Sequence, residues 1–277
     1  MIQEKSRSIV SKKIIKIQGD DFEEYTDAIA VEEPLEISIS VLIKVSPITN
    51  KNISITMRTP GHDRDLALGF LFTEGIIKAP HQITEVIINQ NSVNVQLNNS
   101  EEVDLSKLER HFYTSSSCGV CGKTSIDAIK TVCRLPPSPS DFRIEKNLIK
   151  TFPGILQQQQ NIFNYTGGIH AAALFNTQGQ LINVREDVGR HNALDKLIGH
   201  SLQQGQLPLN QYLLFLSGRA SFELIQKAAM AGIHFIMAVG APSSLAIEMA
   251  VEHDITLIGF LNKTRYNIYT GANRIKI

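Results

Sequence analysis

The sequence predicts an α/β protein with two parts: a small N-terminal α+β domain at residues 1–112 and a three-layer α/β/α domain at residues 113–277. Two observations lead to this prediction. In the first part, apolar residues occupy every second position over short stretches, which is typical of half-buried strands. In the second part, strand-like apolar runs alternate with helical patterns, which is typical of a sheet between layers of helices. With 277 residues, of which 43% are hydrophobic, the chain can fill the cores that such a fold needs.

The N-terminal domain is predicted to contain four strands and one helix. Alternating apolar residues mark two strands, a turn of sequence Arg58-Thr59-Pro60-Gly61 follows them, and apolar residues at helical spacing come next. Asp63 or Asp65 lies near the start of this helix, where a carboxylate can accept hydrogen bonds from free backbone amides. An Asn-rich turn between two further apolar runs predicts a hairpin. The predicted strands are residues 36–45, 53–57, 86–88 and 93–97, and the predicted helix is residues 66–77.

The C-terminal domain is predicted to contain five strands with helices between them. A stiff, proline-rich link at residues 136–140 precedes a helix near residues 142–150. The alternation that follows predicts a sheet covered by helices on both faces. The predicted strands are residues 171–175, 181–184, 212–216, 235–239 and 256–261, and the predicted helices are residues 192–202, 221–231 and 243–253.

Charge and hydropathy exclude several classes of protein. Lysine plus arginine and aspartate plus glutamate number 27 each, so the formal net charge is zero. A neutral chain lacks the broad basic surface that binds nucleic acids or membrane surfaces, and any anion site must be local. Residues 1–20 contain no apolar run long enough for a signal peptide or a membrane span. We therefore expect a cytoplasmic protein whose partners include neither nucleic acid nor membrane.

The segment Cys118-Gly119-Val120-Cys121 has the character of a reactive site. Small residues around the two thiols allow a tight turn that leaves the sulfur atoms accessible. Residues 124–132 have a helical pattern and follow Lys123, so a helix dipole and an ammonium group would both favour thiolate. Thiolate is the form that accepts and transfers sulfur. We therefore interpret Cys118 and Cys121 as catalytic residues.

Other interpretations of this cysteine pair are open. A zinc site needs four ligands, yet only His111 and Cys133 are nearby candidates and a second Cys-x-x-Cys pair is missing. A thioredoxin-like redox pair would follow a strand directly, whereas this pair follows a polar stretch. Structural packing alone does not suit the polar flanks. Cys133 shares an apolar face with Ile129 and Val132 and fits a core cysteine.

Polar turns, most of them containing glycine, stand at the ends of the strands predicted in the second domain. Open α/β sheets bind ligands at the carboxyl ends of strands, and glycine turns that lead into helices form anion sites. The turns together therefore predict a composite site for a phosphate-rich ligand, with Arg219 as one phosphate contact. Taken singly, each has an ordinary alternative: a helix cap at residues 217–219, a salt-bridged surface at residues 186–191 and a core position for His170. The turns are residues 166–170, 185–192, 217–221 and 240–244.

These motifs resemble the FdhD family, sulfur carrier proteins required for formate dehydrogenase activity, over nearly the whole chain. The resemblance rests on Arg58-Thr59-Pro60-Gly61, Ser117-Cys118-Gly119-Val120-Cys121-Gly122, Gly168-Ile169-His170-Ala171-Ala172, the segment from Arg185 to Lys196, Ser217-Gly218-Arg219 and Ala241-Pro242-Ser243-Ser244.

The resemblance implies a function and a set of site residues. A cysteine desulfurase would load sulfur onto Cys118 as a persulfide, and the sulfur would pass to the molybdenum bis(molybdopterin guanine dinucleotide) cofactor before formate dehydrogenase receives it. A cytidine-deaminase-like fold is implied for the second domain. Lys263 and Arg265 can meet phosphate, although both also suit a solvated surface. The residues implied to contact the cofactor are Phe260, Leu261, Asn262, Lys263, Thr264 and Arg265.

The same comparison argues against a deaminase and a permanently bound metal. Ala172 stands where the His-x-Glu element of deaminases would have its glutamate after His170, so neither deamination nor stoichiometric zinc is expected. The alternative function is a binding protein that carries the cofactor, or escorts the dehydrogenase, without covalent sulfur. The sequence leaves the oligomeric state open, with a homodimer as one alternative.

Overall fold

The computed structural model of the chain describes residues 8–43, 46–98 and 142–276. The predicted cysteine loop with Cys118 and Cys121, the predicted helix at residues 124–132, the proline-rich link and Cys133 all lie outside the described residues. The described residues form an N-terminal region, up to residue 98, and a C-terminal region that begins at residue 142.

The N-terminal region begins with a hairpin that the sequence did not predict. Its strands, β1 (Ile9–Gln18) and β2 (Asp21–Ala30), are antiparallel and pair only with each other among the described strands. Most of their side chains are exposed, and Phe22 is 79% exposed. The hairpin escaped prediction because lysines and acidic residues interrupt the apolar alternation in both strands.

A four-stranded sheet and one helix complete the N-terminal region. The elements are β3 (Glu33–Ile43), β4 (Ser46–Arg58), α1 (Asp63–Thr73), a 3-10 turn at Pro80–Gln82, β5 (Ile83–Asn89) and β6 (Ser92–Leu97). The strand order is β4-β3-β6-β5. Alternate apolar residues of β3, from Leu35 to Val41, are at most 5% exposed and pack in one core with Leu66 and Leu68 of α1. The predicted strands and hairpin are confirmed.

The C-terminal region is built around a six-stranded mixed sheet. Its strands are β8 (His170–Asn176), β9 (Leu181–Asp187), β10 (Tyr212–Leu216), β11 (Phe235–Ala238), β12 (Thr256–Gly259) and β13 (Asn267–Thr270), in the order β13-β12-β11-β10-β8-β9. Strands β10, β11 and β12 are parallel, whereas β8 is antiparallel to both β9 and β10. The carboxyl ends of β9 to β12 therefore lie at the same edge of the sheet as the amino end of β8. All the predicted polar turns meet at this edge.

Helices cover both faces of the six-stranded sheet, as expected of a three-layer domain. They are α2 (Lys146–Ile149), α3 (Phe152–Gln159), α4 (Asn161–Thr166), α5 (Arg190–Gln203), α6 (Phe222–Met230) and α7 (Ser244–Glu252). Leu214 and Leu216 of β10 pack in the core that contains α5 to α7, whereas Leu213 and Phe215 pack in the core that contains α2 and α3. The α/β class is confirmed, and the likeness to cytidine deaminases stays a prediction. No described helix is both long enough and apolar enough to cross a membrane.

The two regions share a hydrophobic core, and α1 packs directly on α5. The helices approach so closely that a Cβ on Gly69 would lie 1.9 Å from the backbone oxygen of Asp195. A Cβ on Gly199 would lie 1.9 Å from the backbone oxygen of Asp65. Glycine is therefore required on both sides of the contact. The domain boundary near residue 112 lies outside the described residues and stays a prediction.

Several predicted elements have boundaries in the structure that differ from the prediction. The strand predicted at residues 256–261 ends at Gly259, because Phe260 has a φ of +54°, in the left-handed region where a strand cannot continue. The helix predicted at residues 142–150 is reduced to α2, because Ile144 and Glu145 form a short strand, β7 (Ile144–Glu145), that pairs with β14 (Ile275–Lys276). The helix predicted at residues 66–77 begins at Asp63 and ends at Thr73.

Candidate functional site

Backbone hydrogen bonds join the polar turns into one surface, which we call the rim: residues 167–170, 187–191, 217–221, 239–244 and 260–265. The Gly240 amide donates to the Gly218 carbonyl at 2.9 Å, and the Gly240 carbonyl accepts from the Phe260 amide at 3.1 Å. The Ser217 amide donates to the Ala171 carbonyl at 3.0 Å, and the Ala171 amide donates to Ser217 Oγ at 2.8 Å. The turn that carries Arg219 and residues 260–265 are therefore joined through Gly240, as the composite site requires.

A cavity of about 570 Å³ opens at the rim, against α3 and α4. Its lining is mostly apolar and includes Leu156, Phe163 and Phe215. His170 and Ser217 are among the few polar residues that face it. Cofactor sites are commonly cavities of roughly 300–1,000 Å³ with apolar walls and a few placed polar groups. The cavity therefore has the size and lining of a site for an organic ligand.

Glu186 holds α4 beside this cavity. Its carboxylate accepts hydrogen bonds from the backbone amides of Ile162 and Phe163, at 2.9 Å each. Burial raises the pKa of Glu186, while these amides act in the opposite direction because they stabilise the charged form. The carboxylate thus serves as a cap at the first turn of α4 and fixes the position of Phe163.

The predicted contact segment, residues 260–265, combines buried and exposed side chains. Phe260 is 40% exposed, whereas Leu261 is 1% exposed and packs in the core on the α2 and α3 face, so Leu261 can offer only its backbone to a ligand. Asn262 Oδ1 accepts hydrogen bonds from the amides of Thr264 and Arg265 and from Thr264 Oγ1, at 2.8 to 3.0 Å. These bonds form a tight turn that presents exposed Lys263 and Arg265.

Arg219 is exposed on the rim, and Lys263 lies beside α3. A Cβ on Gly240 would lie 2.9 Å from Cγ of Arg219, so this glycine makes room for the Arg219 turn. Cε of Lys263 lies 3.8 Å from the position of a Cβ on Gly154, and the next residue towards the N-terminus, Pro153, lines the cavity. Of the three predicted phosphate contacts, Arg219 therefore packs against another turn of the rim, and Lys263 lies beside the helix that forms part of the cavity wall.

A buried network of charged and polar groups connects the rim to the N-terminal region. Asp187, with no exposed surface, pairs with Lys196 Nζ at 2.7 Å and accepts a hydrogen bond from the Thr59 amide at 3.2 Å. Lys196 Nζ also donates to the Thr59 carbonyl at 2.8 Å, and Asn192 Nδ2 donates to the Met57 carbonyl at 2.8 Å. Two of the motifs that carry the resemblance, residues 58–61 and 185–196, thus contact each other. The sequence analysis considered a salt-bridged surface as one interpretation of residues 186–191. At Asp187 the structure has a buried network of charged and polar groups instead.

His191 and Glu223 form a pair that the sequence analysis did not identify. Nε2 of His191 lies 2.8 Å from Oε2 of Glu223 and 3.4 Å from Oγ of Ser221. The hydrogen bond from His191 lowers the pKa of Glu223. The pair joins the start of α5 to the start of α6 and completes the rim. In the sequence, the one indication of a role for His191 is its position within residues 185–196, a segment that carries the family resemblance. Its partner lies 32 residues away, so no local pattern relates the two.

His170 is half-buried at the cavity, rather than enclosed in the core. The position of a Cβ on Gly218 would be 3.3 Å from Nδ1 of His170, so the ring packs closely on the turn before Arg219. Burial lowers the pKa of His170, and the nearby charge of Arg190 lowers it further. The imidazole is therefore neutral at neutral pH and keeps one N–H donor for a ligand.

The family of the chain follows from its sequence. A model of the FdhD/NarQ family matches residues 30–276. The chain belongs to the FdhD/NarQ family. The resemblance inferred from the motifs is thereby confirmed, and members of the family align with the chain over nearly all of its length.

Curated relatives in the FdhD/NarQ family have the name sulfur carrier protein FdhD. One from Streptomyces coelicolor is 43% identical over 277 residues, which cover 96% of this chain and 95% of the relative. One from Saccharolobus solfataricus is 38% identical over 263 residues, which cover 95% and 96%. A crystal structure from Desulfotalea psychrophila, described as a formate dehydrogenase accessory protein, has a TM-score of 0.72 at 24% identity and covers 97% of this chain and 99% of that one. This structural likeness establishes the fold.

Metal binding by the cysteines is not tested by the structure. Among the residues it describes, no group of three or more His, Cys, Asp or Glu side chains is arranged to hold a metal ion. Because Cys118, Cys121 and Cys133 lie outside those residues, the expectation that the protein holds no zinc stays a prediction.

Proposed function

We propose that this protein is a cytoplasmic sulfurtransferase that carries sulfur as a persulfide on Cys118 and delivers it to a molybdenum bis(molybdopterin guanine dinucleotide) cofactor. The observation that carries the proposal is membership of the FdhD/NarQ family over residues 30–276, with relatives named as sulfur carriers. The donor of the sulfur is a cysteine desulfurase, and the recipient of the completed cofactor is formate dehydrogenase.

The chemistry begins with the transfer of a sulfur atom from a persulfide to a thiolate. The Cys118 thiolate attacks the outer sulfur of a persulfide on the desulfurase, so a new S–S bond forms at Cys118 and the desulfurase cysteine leaves as a thiolate. Lys123 and the predicted helix after it favour the thiolate that this attack requires. Cys121, three residues along, is the second catalytic residue of this proposal.

The rim and its cavity are the proposed site for the cofactor. The apolar lining suits a planar ring system, and Arg219, Lys263 and Arg265 suit the phosphates of a guanine dinucleotide. One feature supports this assignment: the chain has no net charge, yet these basic residues stand on turns of the rim.

Mass spectrometry of the purified chain, incubated with a cysteine desulfurase and cysteine, tests the sulfur-carrier role. We expect the peptide that contains Cys118 to gain the mass of one sulfur atom, and Cys118→Ala to abolish both this gain and the maturation of formate dehydrogenase. Cys133→Ala is the matched control, because it removes a thiol outside the proposed site and should keep both. A protein that only escorts the cofactor would gain no sulfur, and full maturation by the Cys118→Ala variant would refute the persulfide mechanism.

A further inference from the structure

Gln160 is a buried polar residue in the cavity wall whose side-chain amide has no partner in the described part of the chain. It stands between α3 and α4, lines the cavity and is only 6% exposed. Its two amide atoms keep accessible surface, because the fully enclosed unpaired atoms of the described residues are on Asn183, Arg190 and Ser201. Buried polar side chains are nearly always hydrogen-bonded, so this amide indicates a ligand in the cavity.

Two further groups in the same wall can bind a ligand. Ser217 Oγ accepts a hydrogen bond from the Ala171 amide at 2.8 Å, and its own hydrogen has no acceptor among the described residues. The hydroxyl is therefore left as a donor. His170 adjoins Ser217, since its Nδ1 would lie 3.3 Å from a Cβ on Gly218, and its ring forms no hydrogen bond within the described ranges. Ser217 and His170 both line the cavity and are both partly exposed.

These groups fit a planar ring that has a lactam edge, in which an N–H stands next to a C=O. A glutamine amide donates through Nε2 and accepts at Oε1, so it can pair with both groups of the lactam at once. The lactam oxygen has a second lone pair, which can accept the Ser217 hydroxyl. An amino group in place of that oxygen accepts neither donor. The apolar walls, which include Leu156 and Phe215, can cover the faces of the ring.

We infer that Gln160, Ser217 and His170 select a fused ring with a lactam edge, which enters the cavity while the phosphates stay outside on the rim. The inference rests on the proposed function for the identity of the ligand. The cofactor offers this edge in two places, because its guanine bases and its pterins contain the same amino-oxo-pyrimidine ring.

Calorimetric titration with GDP, ADP, hydroxymethylpterin and inorganic pyrophosphate tests the selection. Gln160→Leu keeps the size of the side chain and removes the amide. If guanine enters the cavity, the wild type binds GDP roughly tenfold more tightly than ADP, and Gln160→Leu weakens GDP binding about fivefold to a hundredfold. If the pterin enters instead, the variant weakens pterin binding by a similar factor and leaves GDP binding unchanged. Pyrophosphate affinity stays the same in both cases.

Two further variants complete the experiment. Gln158→Leu makes the same change at an exposed position on α3 and is the matched control. His170→Phe keeps a ring without its N–H donor and should weaken the same ligand as Gln160→Leu. Thermal unfolding identifies any loss of fold, and His170→Phe carries the test if Gln160→Leu does not fold.

The outcomes separate this inference from the proposed function. The inference alone would be overturned if Gln160→Leu and His170→Phe bound GDP and pterin as tightly as Gln158→Leu does, while Arg219→Ala still weakened GDP binding. An equal loss for pyrophosphate would show that Gln160 acts on the fold of the site and would also overturn it. A wild-type chain that bound neither GDP nor pterin would overturn the cofactor site and this inference together.

Discussion

The buried network below the rim and the rim itself use charged residues in opposite ways. In the network, Lys196 and Asp187 are at most 1% exposed, and each has several partners. On the rim, Arg219, Lys263 and Arg265 are exposed. Burial of a charge is costly unless it is paired, so the paired charges serve the fold. The exposed ones are accessible to a ligand.

The segment of residues 185–196 contains two groups of residues with different contacts. Between residues 185 and 196, Asp187, Asn192 and Lys196 contact the N-terminal region, whereas His191 pairs with Glu223 on α6. Substitutions of Asp187, Asn192 or Lys196 should therefore weaken the contact between the two regions, and loss of the His191–Glu223 pair should weaken the contact between α5 and α6.

The largest effect is expected from Lys196→Ala. The change leaves Asp187 buried without its cation, and removal of one partner from a buried ion pair costs about 3–5 kcal/mol. Urea unfolding measures the loss. Lys12→Ala on exposed β1 is the matched control and should change the free energy of unfolding by less than about 0.5 kcal/mol. A similar free energy of unfolding for both variants would show that the network does not stabilise the fold.

A smaller effect, confined to binding, is expected from Arg219→Ala and Arg265→Ala. Each removes one charge-assisted hydrogen bond to phosphate, worth roughly 1.5–3 kcal/mol, so GDP affinity should fall about tenfold to a hundredfold. The wild type should also lose affinity more steeply with added salt than either variant. Calorimetry measures both quantities, with Arg64→Ala as the control. Unchanged affinity in both variants, with the fold intact, would place the nucleotide elsewhere.

The smallest effect is a pH dependence from the His191–Glu223 pair. Because the hydrogen bond from His191 lowers the pKa of Glu223 below its ordinary value of 4.5, this interaction stabilises the folded chain above pH 4.5. The contribution is lost as the pH falls through the pKa of the folded state. Denaturant unfolding at several pH values should therefore show the wild type more stable than Glu223→Gln near neutral pH, with the gap closing below pH 4.5. Glu85→Gln, at an exposed position, should show no such closing gap.

The sequence predicted most of the regular elements because their apolar periodicity reflects burial. The strand at residues 212–216 coincides with β10, and the three long helices after residue 190 fall within two residues of prediction at each end. The edge where the turns meet was also foreseeable, since consecutive strand–helix units bring strand ends together. The β1–β2 hairpin was not, because few of its residues are buried and its pattern is largely polar.

The pairings that build the site were beyond sequence reasoning. Thr59 and Asp187 are 128 residues apart, and His191 and Glu223 are 32 apart. No local periodicity relates such residues; their contact depends on how α1, α5 and α6 pack. Gly69 and Gly199 illustrate the same limit, because each looks like an ordinary helix glycine until the other helix is in place.

The charge distribution on the β1–β2 hairpin determines which strands could extend it. Lysines at positions 12, 13 and 16 give β1 a positive edge, while acidic residues at positions 21, 23, 24 and 27 give β2 a negative one. A second copy that aligned like edge with like edge would bring equal charges together, whereas one that aligned its β1 with β2 would bring opposite charges together. Both effects are electrostatic and so weaken as ionic strength rises. Charge on the hairpin therefore selects the order in which an added strand could pair with it, while Ile17 and Phe22 stay exposed.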